Sequence, residues 1–258
     1  MSRPNKHEEI RQYYDTLYHS WGQQHWWPAE TAFEVILGAY LTQNTSWTNV
    51  ERALANLRTA NALALEGIRK MRLPRLERLI RPSGYFRQKA KRIKTFISYL
   101  DQHHGGSLDR MFAQPTSILR QQLLDLNGVG PETADSILLY AGNHPVFVVD
   151  AYTRRVLDRH QILPANTDYE DIRQLFEQSL APVADALQAK PETLASPLES
   201  SFRGANHPPS AMSTAHRTAL AQVYNEMHGL LVGVGKHFCG KSQPTCDGCP
   251  LQPFLPKS

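Results

Sequence analysis

Three stretches of this 258-residue chain carry residue types that can do chemistry. The first is a set of thiols, Cys239, Cys246 and Cys249, which are all the cysteines of the sequence and fall within eleven residues as C-x6-C-x2-C. An odd number of thiols packed so tightly does not read as a disulfide framework; it reads as a metal-binding loop. The second is Gly128-Val129-Gly130, with Pro131 placed to open a helix. Glycines let the backbone approach a ligand closely, and a helix start offers unpaired amides and the positive end of a dipole, so such a turn can bind a phosphate without a side-chain charge. Glycine also stands in many helix–helix turns for conformational reasons alone. The third is Val148-Val149-Asp150-Ala-Tyr-Thr-Arg154-Arg155, where an aspartate follows an apolar run and opens a basic helix. Taken locally, Asp150 is an N-cap.

Charge adds a partner. The formal net charge is only +4, but it is unevenly spread. From Arg69 to Lys94 stand 11 of the 28 basic residues, with Glu77 as the sole acid. So one-sided a block over two periodic segments points to phosphate contacts and hence to nucleic acid.

Helices must position these residues. Apolar residues recur at helical spacing in Phe33, Ile36, Leu37, Tyr40 and Leu41, in Val50, Ala53, Leu54 and Leu57, and in Ile93, Phe96, Ile97 and Leu100. The period returns in Ala134, Ile137, Leu138 and Ala141, in Ile172, Leu175, Phe176 and Leu180, and in Leu220, Val223, Met227, Leu231 and Val234. No alternating strand stands out; Val146 to Val149 reads as an extended connector. The expected class is all-α. From Ala181 to Ala215 the period lapses among Pro182, Pro191, Pro197, Pro208 and Pro209, which predicts a mobile insertion. No apolar run is long enough to span a membrane, and the charged start lacks a secretory apolar region, so the expected compartment is the cytoplasm.

With the hairpin, the spacer and the aspartate in this order, the chain resembles the helix-hairpin-helix DNA glycosylases of the endonuclease III superfamily. The matching runs are Leu126-Asn-Gly-Val-Gly-Pro-Glu-Thr-Ala134 and Val148-Val-Asp150 through Val156, with Leu41-Thr-Gln-Asn-Thr45 in the place of the family's LSAQ-type segment. The resemblance covers about residues 25–180 and 215–251. Trp26-Trp27-Pro28, Trp47, the run Arg81-Pro-Ser-Gly-Tyr-Phe86 through Gln88-Lys-Ala-Lys-Arg92, and Glu132 are similar to the endonuclease III-related 3-methyladenine DNA glycosylases.

The resemblance implies two helical domains with an active-site cleft between them: a central one, residues 31–142, holding the hairpin, and a second built from residues 1–30 and 143–258, with the insertion at 181–215 and a cysteine loop at 239–255. It makes Asp150 the catalytic carboxylate and Gly128, Val129 and Gly130 the phosphate-binding hairpin. Gln43 becomes the wedge that fills the vacated base stack, and Trp27, Trp47 and Glu132 line the base pocket. From the basic block, Lys89 and Arg92 are the expected DNA contacts. An unpaired carboxylate stabilises the oxocarbenium character that develops when an N-glycosidic bond breaks. Glu132 stands where bifunctional members carry a Schiff-base lysine, and a glutamate cannot form that adduct.

The expected activity is therefore monofunctional excision of an alkylated base from double-stranded DNA by a monomer. A bifunctional glycosylase and lyase on oxidised pyrimidines would need a lysine in place of Glu132; a non-catalytic damage-binding module would not need Asp150. The family's cysteine loop continues x5-C to hold a [4Fe-4S] cluster. Here Leu255 stands at that fourth position. Three thiolates can hold a cluster with an open corner, hold zinc with a fourth ligand such as His237, or be a remnant.

Overall fold

The structure, a computed structural model, describes residues 5–189 and 208–256. The chain divides into two compact units, residues 29–144 and residues 1–28 with 145–258. Among the described residues there is no β-strand; the one β-type pairing is an isolated bridge between Cys239 and Pro244.

Unit 29–144 contains α2 (Ala32–Thr42), α3 (Trp47–Thr59), α4 (Leu65–Lys70), α5 (Leu73–Leu79), α6 (Phe86–His104), α7 (Leu108–Phe112), α8 (Thr116–Leu124) and α9 (Pro131–Ser136), the last running on as a π-turn, Ile137–Ala141. α2 starts where Thr31 Oγ1 accepts from the Glu34 amide, and Glu34 reaches back to the Glu30 amide. Every residue from Phe33 to Leu41 is buried. A helix covered on all sides is the axis of its unit, and each large apolar side chain buried there contributes about 1.5–3 kcal/mol. Tyr40 meets Phe96 of α6 with ring centroids 6.0 Å apart.

The other unit contains α1 (Lys6–Trp21), α10 (Ala151–Arg159), α11 (Tyr169–Ala189) and α12 (Ala219–His237). Residues 145–149 form the extended connector, and its Phe147 stacks on Phe176 of α11 at 4.2 Å and 2°. α12 is buried along most of its length, and its buried face includes the polar residues Asn225, Glu226 and His228.

The expected insertion begins too early. α11 continues through Pro182 to Ala189, because the apolar stripe of Phe176 and Leu180 is extended by the buried Ala184. Proline removes one backbone donor but does not remove that face. Residues 208–215 include a turn in which the Ser210 amide donates to Ser213 Oγ at 2.8 Å. Residues 190–207, the middle of the expected insertion, lie outside the described residues.

Candidate active site and DNA-binding hairpin

The turn between α8 and α9 is braced from below. Arg120 of α8 grips the fully buried Asp135 of α9 with two hydrogen bonds, Nε to Oδ1 at 2.7 Å and Nη2 to Oδ2 at 3.1 Å. Paired donors on a buried carboxylate fix both distance and angle. Val129 is 7% exposed and anchors the turn in the core. Gly128 has φ +80°, and a Cβ there would lie 1.9 Å from Arg92 Nε. Gly130 has an ordinary φ of −94° with nothing within 4 Å of a built Cβ. The first glycine is thus demanded by backbone conformation and by Arg92; the second stands exposed at the start of α9 with open space before it.

Gln43, the C-cap of α2, is tied to this turn. Its Nε2 donates to the Gly128 carbonyl at 3.0 Å and to Thr133 Oγ1 at 2.9 Å, while its Oε1 accepts from Arg92 Nη1 at 2.7 Å. The structure therefore brings Gln43, Arg92 and the hairpin into one network. Both ends of the Gln43 amide are engaged within it.

Lys89 departs from expectation and is corrected here. It is 1% exposed, and its ammonium donates to the Leu41 carbonyl at 2.8 Å and the Ser83 carbonyl at 2.6 Å. An ammonium so enclosed makes no phosphate contact; it satisfies one carbonyl at the C-terminal end of α2, where a cation is favoured, and one in the short turn at 81–83. Burial first, and the Arg92 charge second, pull its pKa down to about 8. Other members of the basic block are also engaged internally: Lys94 Nζ donates to the carbonyls of Ile68 and Arg69 at the end of α4, and Arg69 pairs with Glu66 and Asp101. Arg72, Arg75, Arg78, Arg81, Arg87 and Lys91 remain exposed. Beside them Tyr85, at φ +44°, is 67% exposed. It lies within the run Arg81 to Arg92 that carried the resemblance, but nothing in that run marked its exposure.

In the other unit Asp150 caps α10. Its Oδ1 accepts from the Thr153 amide at 2.8 Å and from Thr153 Oγ1 at 3.0 Å. Its Oδ2 lies 3.4 Å from Nε2 of His228 on α12. Burial pushes the carboxyl pKa up, but the charge and hydrogen bonding of His228 and the two Thr153 donors outweigh it and hold the pKa below the usual value. The side chain stays 13% exposed. His228 was missed in the sequence, although a histidine between Met227 and Gly229 in an apolar helix is the kind of interruption that flags a buried polar role.

Trp27 is 6% exposed, with Trp26 against it at 5.4 Å, and Lys236 Nζ lies 5.7 Å from the centre of the Trp26 ring. Trp47, in the unit 29–144, is half-buried at the start of α3 and donates through Nε1 to Glu51 Oε1 at 2.9 Å. Glu132 is exposed in the first turn of α9, where a carboxylate suits the helix dipole.

The cysteine loop is held from α10. Arg159 Nη1 donates to Cys239 Sγ at 3.1 Å and to the Gly240 carbonyl at 2.7 Å, and Arg155 Nε donates to the Cys239 carbonyl at 2.6 Å. Burial raises the Cys249 thiol pKa, as do the neighbouring sulfurs of Cys239 and Cys246. Leu255 offers only an alkyl group. Among the described residues no group of three or more His, Cys, Asp or Glu side chains is placed to hold a metal ion. With three thiols and Leu255 in the fourth place, the donor set does not fit a four-thiolate [4Fe-4S] cluster.

Comparison with known proteins bears on this arrangement. The profile of the HhH-GPD superfamily of base excision DNA repair proteins matches residues 37–182. A Methanocaldococcus jannaschii protein that carries a provisional DNA repair glycosylase name is 38% identical over 253 residues, 98% of each chain. The Helicobacter pylori 3-methyladenine DNA glycosylase, solved with 1,N6-ethenoadenine, superposes with a TM-score of 0.68 at 28% identity, over 90% of this chain and 98% of that one. An endonuclease III solved with DNA gives a TM-score of 0.66 at 18% identity, over 96% and 94%, which speaks to fold alone.

Proposed function

Because this chain belongs to the HhH-GPD superfamily of base excision DNA repair proteins, we propose that it is a monofunctional DNA glycosylase which flips an alkylated, 3-methyladenine-like base from duplex DNA and hydrolyses its N-glycosidic bond. The observation that carries the reading is Asp150: a mostly buried carboxylate, kept ionised by its donors, with an edge still exposed. As the bond between C1′ and the base nitrogen lengthens, positive charge grows on the sugar, and this carboxylate stabilises it. The bonding electrons leave with the base. A base alkylated on a ring nitrogen is cationic and departs neutral, so no strong acid is required of the pocket. Water adds to C1′ and its proton passes to Asp150 Oδ2.

Tryptophan faces suit a cationic base, and Trp27 and Trp47 fill that role in this reading, with Glu132 favouring positive charge. The exposed amides at Gly130 receive a phosphate, while Gln43 and Arg92 hold the hairpin in shape. Tyr85, exposed beside basic residues, fills the vacated stack in place of Gln43, whose amide is engaged at both ends. The exposed arginines and Lys91 supply the salt-dependent part of binding. A bifunctional glycosylase and lyase is disfavoured by Glu132 and by the engagement of Lys89 with two carbonyls. The test is a panel of duplexes with single defined lesions, read for abasic sites with and without alkali. Asp150→Asn is expected to bind the same duplexes but to excise about 100- to 10,000-fold more slowly. Strand cleavage without alkali, or an Asn variant of undiminished turnover, would refute the reading. Iron, sulfide and zinc assays on anaerobically purified protein decide what, if anything, the three thiols bind.

A further inference from the structure

A helix N-cap needs one side-chain oxygen, and Asp150 gives α10 one. Oδ1 takes both Thr153 donors, which leaves Oδ2 free of any capping duty. At that second oxygen stands His228 Nε2, 3.4 Å away, on a different helix. The imidazole is 4% exposed and is boxed by aromatic rings: Trp26 at 6.0 Å and 56°, Phe147 at 6.4 Å and 76°. Phe147 is itself clamped by Phe176 at 4.2 Å. The imidazole ring cannot turn away without repacking that box. Enclosing an imidazole among aromatics carries a desolvation cost, and capping alone does not call for it: the caps Asn5, Thr31 and Thr218 hold their helices from exposed positions.

We propose that His228 is a positioning residue for Asp150, its Nε2 fixing Oδ2 while the amide end of α10 fixes Oδ1, so that the plane of the carboxylate is set from two helices before DNA arrives. The inference rests on Asp150 being the carboxylate that serves glycosidic cleavage. The physical gain is pre-organisation. A carboxylate that rocks about its Cβ–Cγ bond presents its charge to C1′ only part of the time, and a misplacement of about 1 Å at a reacting centre costs about 100-fold in rate.

His228→Phe keeps the ring volume and removes the donor; His228→Gln keeps an N–H near the position of Nε2. Single-turnover excision at saturating protein is measured on dimethyl-sulfate-treated duplex DNA, with released bases counted, and binding is measured on the same DNA. The expected result is a loss of about 100-fold in the rate for the Phe variant, binding within about two-fold of the parent, and recovery of most of the rate by Gln. In an Asp150→Asn background, His228→Phe should add nothing, because it acts through the carboxylate. A Phe variant as fast as the parent beside an inactive Asn variant overturns the role of His228 and leaves Asp150 standing. An active Asp150→Asn protein overturns the underlying reading instead. Equal losses for Phe and Gln, matched by weaker binding and a lower melting temperature, assign a merely structural role and also overturn the proposal. Should the Phe variant not fold, His228→Asn, whose amide falls short of the Nε2 position, replaces it against Gln with the same two outcomes.

Discussion

The two hairpin glycines offer a contrast that separates fold from function. At Gly128 an alanine must adopt φ near +80°, a left-handed conformation that costs an L-residue about 1–2 kcal/mol. Its Cβ would also sit 1.9 Å from Nε and 2.4 Å from Cζ of Arg92. Arg92 is flexible enough to move, so the second cost is the hydrogen bond it gives up, 2.7 Å from Nη1 to Gln43 Oε1. A charge-assisted bond of that kind is worth about 1.5–3 kcal/mol, less where solvent can replace it. Gly128→Ala should therefore lower stability by about 2–4 kcal/mol. At Gly130 the backbone is ordinary and an added Cβ meets nothing within 4 Å. Gly130→Ala should change stability by less than about 1 kcal/mol, with its sign set by reduced unfolded-state entropy. The space that the methyl enters is where a phosphate would approach, so its effect should appear in DNA affinity. Urea unfolding with separate determination of midpoint and slope gives the first quantity, and fluorescence anisotropy with an undamaged duplex gives the second. Equal destabilisation by the two alanines would refute the division of labour, as would a Gly130→Ala protein of unchanged affinity.

Lys89→Met should lower stability by about 1.5–3 kcal/mol for each carbonyl deprived of its donor but leave the salt dependence of DNA binding unchanged, whereas Arg87→Ala with Lys91→Ala should flatten that dependence by about one unit of slope for each phosphate no longer neutralised; titrations at several salt concentrations distinguish the two. Glu226 is 2% exposed, and burial lifts its pKa to about 7 from 4.5, so its protonated form favours the fold: its contribution to stability should be fully present below pH 4.5 and be lost, by about 3 kcal/mol, as pH rises through 7, and Glu226→Gln should flatten that interval in pH-resolved melts. For the cysteine loop, Arg159→Ala should lower stability by about 1–3 kcal/mol, while exhaustive chelation should leave the melting temperature of the parent within a few degrees, because hydrogen bonds from Arg155 and Arg159 to its carbonyls hold the loop.

Periodicity laid out α2, α3, α6, α9, α11 and α12, because a 3.6-residue stripe has only one way to be buried; α1, α4, α5 and α7 were not read from it. The hairpin was legible for a similar reason: two glycines and a proline at a helix start restrict the backbone whatever surrounds them. Asp150 was legible as an N-cap from neighbours on its own chain segment, and its candidacy for catalysis came from the order of motifs. Three matters were decided only by tertiary structure. The basic block looks uniform in sequence, yet Lys89 and Lys94 point inward to helix-end carbonyls while Arg87 and Lys91 face solvent; the sign of a charge does not tell which side of a helix has carbonyls waiting. The end of α11 was misplaced because proline was weighed as a breaker, when the buried Ala184 continued the face that packing requires. His228 meets Asp150 across 78 positions of sequence. Such an encounter depends on how α12 packs against α10, a long-range contact that no local pattern of spacing encodes.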